Sequence, residues 1–96
     1  MLHNNSIIVA FDVDGTLIEQ VGEKSDTPRY AIINLFNSYK NLGCKMVIWS
    51  GGGFDYAERW AQKLGLDATI MVKGSFIPDI AFDDCEVTLG KVNIQV

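Results

Sequence analysis

Ile7-Ile8-Val9-Ala10-Phe11-Asp12-Val13-Asp14-Gly15-Thr16-Leu17 is an apolar run that breaks at two carboxylates and a glycine. Up to Phe11 it is apolar on both faces, as in a strand buried within a parallel sheet. Side chains alternate along a strand, so Asp12 and Asp14 would share a face if the strand ran on. Two acids this close repel unless a cation or a shared proton lies between them. Such a place suits a divalent metal and a phosphoryl group, whose transfer needs positioning and charge stabilisation above all. An ordinary turn is the competing reading, since Asp and Gly both favour turns. The rest of the chain decides between the two.

Outward from this stretch, strand and helix patterns alternate. Ser6 to Phe11 reads as the first strand. Leu17 to Lys24 is a polar connector with the makings of a small hairpin or flap. Asp26 or Thr27 is placed to cap a helix with Pro28 in its first position, running to about Asn41. Ile32, Leu35, Phe36 and Tyr39 form its apolar face, and Gly43 stops it. Cys44 to Trp49 is a second buried strand, ending in Ser50-Gly51-Gly52-Gly53. A second helix is predicted from Phe54 to Leu64, with Tyr56 or Ala57, Trp60, Ala61 and Leu64 facing the core and Gly65 ending it. Ala68 to Val72, Ile77 to Phe82 and Val92 to Val96 complete the strands. This alternation predicts an α/β, Rossmann-like parallel sheet in three layers, with helices on both faces.

Sites on such sheets lie at the carboxyl ends of the strands. Asp12 and Asp14 end the first predicted strand, Ser50 the second, and Asp83 and Asp84 the fourth, while Lys73 follows the third. Chance would scatter such residues over both ends.

Ninety-six residues make one domain, spanning 1–96 with 17–27 as its flap, and 48% apolar content with ten aromatics (two Trp, three Tyr, five Phe) suffices for one core. Small size leaves little stability in reserve, so a homodimer would be unsurprising. A net charge of −4 argues against a general nucleic-acid binder, though not against a nucleotide or nucleic-acid end as substrate. Two cysteines, Cys44 and Cys85, without neighbouring histidines do not make a zinc site, and buried free thiols are expected. The polar stretch from Met1 to Ser6 has no apolar signal core, and no apolar run reaches membrane-spanning length. A cytoplasmic protein is the expectation.

If a phosphate monoester is brought to this edge, Asp12 is placed to attack phosphorus and form an aspartyl-phosphate. Asp14 is placed to protonate the leaving alcohol, then to activate the water that breaks the acyl phosphate. Asp12 and Asp83, with the backbone carbonyl of Asp14, form an oxygen set suited to Mg2+. Ser50 offers a hydrogen bond to a phosphoryl oxygen, and Gly51 to Gly53 offer backbone N–H groups at a helix start. Lys73 supplies a point charge for the phosphoryl group and holds Asp12 ionised. Asp55 and Asp79 read as caps or surface acids, and His3 as inert. Taken singly, a Ser-Gly-Gly-Gly turn or a lone lysine is unremarkable; order and placement together carry the reading.

With these four sites, the chain resembles the haloacid dehalogenase-like (HAD) phosphatase superfamily. Phe11-Asp12-Val13-Asp14-Gly15-Thr16-Leu17 matches the family's first motif, Val47-Ile48-Trp49-Ser50-Gly51 the second, Lys73 the third and Ile80-Ala81-Phe82-Asp83-Asp84 the fourth. The resemblance implies Asp12 as nucleophile, Asp14 as acid and base, and Mg2+ held by Asp12, the carbonyl of Asp14 and Asp83 with Asp84 in support. It also implies a phosphatase rather than a transport ATPase, because the family's ATPases carry Thr where this chain has Asp14. The helix usual between the third and fourth motifs is missing, and no segment is long enough for a cap domain. Capless members resemble those that act on large or extended substrates, or that borrow a lid from a second subunit. The expected partner is a phosphorylated nucleotide, nucleic-acid end, sugar or protein. Two other readings compete. One is a catalytically weak or inactive regulatory domain that keeps the fold and binds metal. The other is a phospho-accepting receiver-like domain, which Ser50 at the end of the second strand disfavours.

Overall fold

The computed structural model describes residues 7–20 and 26–96. Along the chain run β1 (Ile8–Phe11), α1 (Tyr30–Asn41), β2 (Lys45–Ile48), α2 (Phe54–Leu64), β3 (Thr69–Ile70), β4 (Ile80–Asp83) and β5 (Val92–Gln95). The strands form one five-stranded sheet in the order β3-β2-β1-β4-β5, and every pairing is parallel. This is the expected α/β, Rossmann-like sheet. β1 lies at its centre, buried on both faces, which is why its sequence is continuously apolar.

The helices are less symmetrically placed than expected. Ile32, Ile33 and Phe36 of α1 and Ala57 and Ala61 of α2 share one core cluster with Val9, Phe11, Met46, Ile48 and Phe82. Both helices therefore cover the same face. The cause is topological. The steps β1 to β2 and β2 to β3 move in one direction, and right-handed crossovers place both connecting helices on one side. The return from β3 to β4 reverses direction and crosses the other face. Its residues, 71–79, form no helix, so the third layer is an irregular segment. Met71 and Phe76 from this segment, with Leu89, pack on Ala10, Val47, Trp49 and Ala81.

On the helical side, Phe11 stacks on Phe82 with ring centroids 4.5 Å apart and meets Phe36 edge-on at 5.4 Å. Such pairs contribute about 0.5–1.5 kcal/mol each beyond their burial. They fix β1 against β4 and α1, and thereby fix where the first strand releases its acids.

Several local expectations change. α2 has the predicted bounds, and Gly65 caps it in the left-handed conformation at φ 68°. Within α1, Ile33 takes the core position expected for Leu35, which is half exposed. Neither Asp26 nor Thr27 caps α1; the cap position is Arg29, without a side-chain bond. Pro28 instead forms an antiparallel bridge with Ile18. The flanking bonds use the Glu19 N–H to the Thr27 carbonyl (2.7 Å) and the Arg29 N–H to the Leu17 carbonyl (2.8 Å), so the missing proline N–H is not needed. Leu17 and Ile18 are fully buried, so the connector called polar begins in the core. The tip of the expected flap, residues 21–25, lies outside the described residues, as do His3 and Ser6. Cys44 is buried as expected, but Cys85 is exposed because it follows β4 into a surface turn. No helix among the described residues is long and apolar enough to cross a membrane.

Candidate active site

Register carries the acids to one edge. Phe11 pairs with Ile48 on one side and Phe82 on the other, so β1, β2 and β4 end level with one another. The pairing continues one step further. The Asp12 N–H donates to the Phe82 carbonyl at 3.0 Å, and the Trp49 N–H to the Phe11 carbonyl at 3.1 Å. Asp12 and Asp83 consequently emerge side by side, Ser50 follows one residue beyond Trp49 at the same edge, and all three are buried.

Lys73, from the turn after β3, joins two of the carboxylates. Its Nζ lies 3.2 Å from Asp12 Oδ1 and 2.7 Å from Asp83 Oδ2. The contact with Asp12 is a hydrogen bond. The one with Asp83 is the closer ion pair of the two. Asp83 Oδ1 accepts from the Cys85 N–H at 2.9 Å. Burial, then repulsion from Asp83, pushes the Asp12 carboxyl up to about 6, with Lys73 pulling the other way. Burial works against the Lys73 ammonium, but Asp83 and Asp12 together hold it above the ordinary lysine value. Two acids and one cation leave this cluster a net negative charge.

Asp14 stands apart from that cluster. Its Oδ1 accepts a 2.6 Å hydrogen bond from the Tyr56 hydroxyl of α2. Burial first, and the Asp14 bond second, keeps Tyr56 above its ordinary value, so the phenol remains a donor at neutral pH. The Thr16, Leu17 and Ile18 N–H groups converge on the Val13 carbonyl at 3.2, 3.0 and 3.2 Å, tightening the turn between Asp12 and Ile18. Arg29 also donates to the Gly15 carbonyl.

Ser50 Oγ accepts from the Gly52 N–H at 3.0 Å, and the Ser50 carbonyl accepts from the Gly53 N–H at 3.1 Å. Two of the three glycine amides expected to meet an anion are thus engaged in the turn. The hydroxyl hydrogen of Ser50 remains for an external acceptor.

Asp84 leans over Gly15, where a Cβ would lie 2.2 Å from Asp84 Oδ2. Asp83, Asp84 and Cys85 bring donor atoms within 4.8 Å of one another. The oxygens of Asp12, Asp83 and Asp84 are hard donors of the kind Mg2+ takes, and Asp12 and Asp83 share one lysine between two carboxylates. The residues therefore fit the expected ion.

A protein-family model described as haloacid dehalogenase-like hydrolase matches residues 9–88. The chain belongs to this family. The matched span holds every candidate residue above, from Asp12 to Asp84. No curated protein and no solved structure matches the chain.

For this HAD-like hydrolase, the structure brings together Asp12, Lys73 and Asp83, with Ser50 alongside and Asp84 against Gly15. The carboxyl of Asp14 is not part of the Lys73 cluster. Sequence reasoning missed Tyr56, taken for a core residue, and Arg29, given no role. Tyr56 does lie on the inner stripe of α2, and nothing in its spacing distinguishes a phenol that packs from one that also reaches Asp14. Asp79 proves to be an anchor: Oδ2 accepts from the Ile8 N–H at 2.8 Å, and Lys91 pairs with its Oδ1 at 3.2 Å.

Proposed function

We propose that the protein is a magnesium-dependent phosphatase that hydrolyses a phosphate monoester through an aspartyl-phosphate on Asp12. The observation carrying this reading is the Lys73 ammonium set between the Asp12 and Asp83 carboxylates, at the strand edge where Ser50 also emerges. A buried acid pair with one shared lysine is arranged for a ligand that brings both a cation and an anion.

In the first step, an Asp12 oxygen attacks phosphorus and the ester P–O bond breaks. The leaving alkoxide takes the proton of the Asp14 carboxyl. In the second, the Asp14 carboxylate takes a proton from water, whose oxygen attacks phosphorus. The bond to Asp12 breaks, releasing inorganic phosphate and restoring both acids. Lys73 and the Ser50 hydroxyl offset the charge on the phosphoryl oxygens. With its carboxyl at about 6, Asp12 is mainly ionised at neutral pH, as a nucleophile must be. Mg2+, held by Asp12, Asp83 and the Asp14 carbonyl with Asp84 in support, supplies positive charge that relieves the repulsion between acids and substrate.

The substrate is a phosphorylated nucleotide, nucleic-acid end, sugar or protein, met in the cytoplasm. Hydrolysis of p-nitrophenyl phosphate with Mg2+, lost in Asp12→Asn, is the expected result. Absence of metal-dependent turnover across a broad phosphate-ester panel would favour a non-catalytic metal-binding domain. Equal rates in the two proteins would exclude Asp12 as nucleophile.

A further inference from the structure

Tyr56 touches both loops of the candidate site. Its hydroxyl lies 2.6 Å from Asp14 Oδ1. Its ring lies against Gly52 in the turn after β2, where a Cβ would come within 3.0 Å of Tyr56 Cδ2 and 3.2 Å of Cγ. The ring is thus wedged between the Ser50 turn and the turn after β1. Held at both ends, Tyr56 leaves the Asp14 carboxyl little freedom to rotate. Asp12 has Lys73 to fix it, whereas no ion pair engages Asp14 among the described residues.

We propose that Tyr56 is the positioning residue for Asp14, orienting its carboxyl toward the leaving-group oxygen. This rests on the phosphatase reading above. Proton delivery matters in proportion to the basicity of the leaving group. p-Nitrophenolate departs readily without a proton, while a simple alkoxide hardly departs at all. Misplacing the acid therefore slows alkyl phosphates and spares aryl phosphates. A merely structural tyrosine would slow both alike.

The experiment compares kcat/KM for p-nitrophenyl phosphate and a simple alkyl phosphate, with Mg2+, in the native protein, Tyr56→Phe, Asp14→Asn and the double variant. kcat/KM covers the steps through departure of the alcohol, so it reads the proton transfer in question. Tyr56→Phe retains the ring on Gly52, and removing one hydroxyl costs about 1 kcal/mol, so the fold persists; a thermal melt checks this. Tyr56→Phe should lower kcat/KM about tenfold on the alkyl ester and less than about twofold on the aryl ester, a fraction of the full general-acid effect. The double variant should match Asp14→Asn alone, because positioning has no effect once the acid is gone. A parallel fall on both esters, or effects that multiply in the double variant, would overturn the proposal. A native protein inactive on both esters would instead overturn the phosphatase reading beneath it.

Discussion

Asp12 and Asp14 leave the same strand two residues apart and meet opposite surroundings. Asp12 is buried, faces a second acid and is held by a cation. Asp14 is half-buried and is held by a neutral phenol. An ammonium keeps its partner available as an anion; a phenol orients its partner without adding a charge. The contrast fits two roles that one environment could not serve, since a nucleophile must stay ionised and an acid–base group must cycle. It also divides the edge of the sheet into a charged half, built from β1, β4 and the turn after β3, and a neutral half, built from β1 and α2.

The largest effect should come from removing the buried charge itself. Asp12→Asn is expected to lower turnover by more than about a thousandfold, as loss of a covalent nucleophile does. The same change should stabilise the metal-free protein. A carboxyl moved from 3.8 to about 6 binds its proton more tightly folded than unfolded. Its favourable contribution is therefore complete below the unfolded value and is lost as pH rises through the folded one. Two units correspond to about 3 kcal/mol at most. Melting curves in chelator should show Asp12→Asn gaining on the native protein between pH 4 and 7, with a level difference above. A constant difference across this range would mean that Asp12 does not carry the strained charge.

Lys73→Met tests the cation of the charged half. It leaves Asp12 and Asp83 facing each other with nothing between them, so the metal-free protein should lose roughly 2–4 kcal/mol. Turnover should fall about a hundredfold or more, the scale of losing one preorganised charge contact in a water-poor site. Mg2+ should raise the melting temperature of Lys73→Met more than that of the native protein, since the ion then neutralises both acids unaided. Equal Mg2+ shifts would place the ion away from this pair.

These contrasts were unevenly legible in the sequence. The charged half was readable because each member ends a recognisable apolar strand. Parallel register then requires strand ends to meet, so Asp12, Ser50 and Asp83 could be placed together before any coordinates. Lys73 was harder, since it lies in the irregular return from β3 and only its position after that strand marks it. The neutral half was largely illegible. Tyr56 sits on the apolar stripe of α2, and periodicity reports that a residue faces inward without saying what its hydroxyl meets. One-sided helices were hidden for a different reason: alternation of strand and helix does not reveal strand order, and the order β3-β2-β1-β4-β5 decides which face each crossover takes. Leu17 and Ile18 were misjudged because the charged residues beyond them set the character of the whole connector.

Two glycines make room for the two halves, and replacing each refines the comparison. Gly15→Ala acts on the charged half. It places a methyl 2.2 Å from Asp84 Oδ2 at a residue with φ +76°. The left-handed backbone costs roughly 1–2 kcal/mol with any side chain, and the Asp84 carboxylate must swing away. Reduced stability and a several-fold weaker Mg2+ response, read from metal titrations of thermal stability and of activity, are expected. An unchanged metal response would remove Asp84 from the ion's surroundings.

Gly52→Ala acts on the neutral half and should be the gentlest change. Its backbone is not left-handed, so the contact alone matters: the new methyl would meet Tyr56 Cδ2 at 3.0 Å and Ser50 Oγ at 3.4 Å. The ring has to give by a few tenths of an ångström. Alanine also narrows the unfolded chain's freedom, a gain of about 0.4–1 kcal/mol that offsets part of the crowding. The melting temperature should therefore barely move. Because the ring's far end is bonded to Asp14, however, the displacement should reach the carboxyl. A fall of a few-fold in kcat/KM on alkyl esters, larger than on p-nitrophenyl phosphate, is the expected sign. If both esters slow equally, the methyl is acting through Ser50 and the phosphoryl group, and the Gly52–Tyr56 contact does not transmit to Asp14.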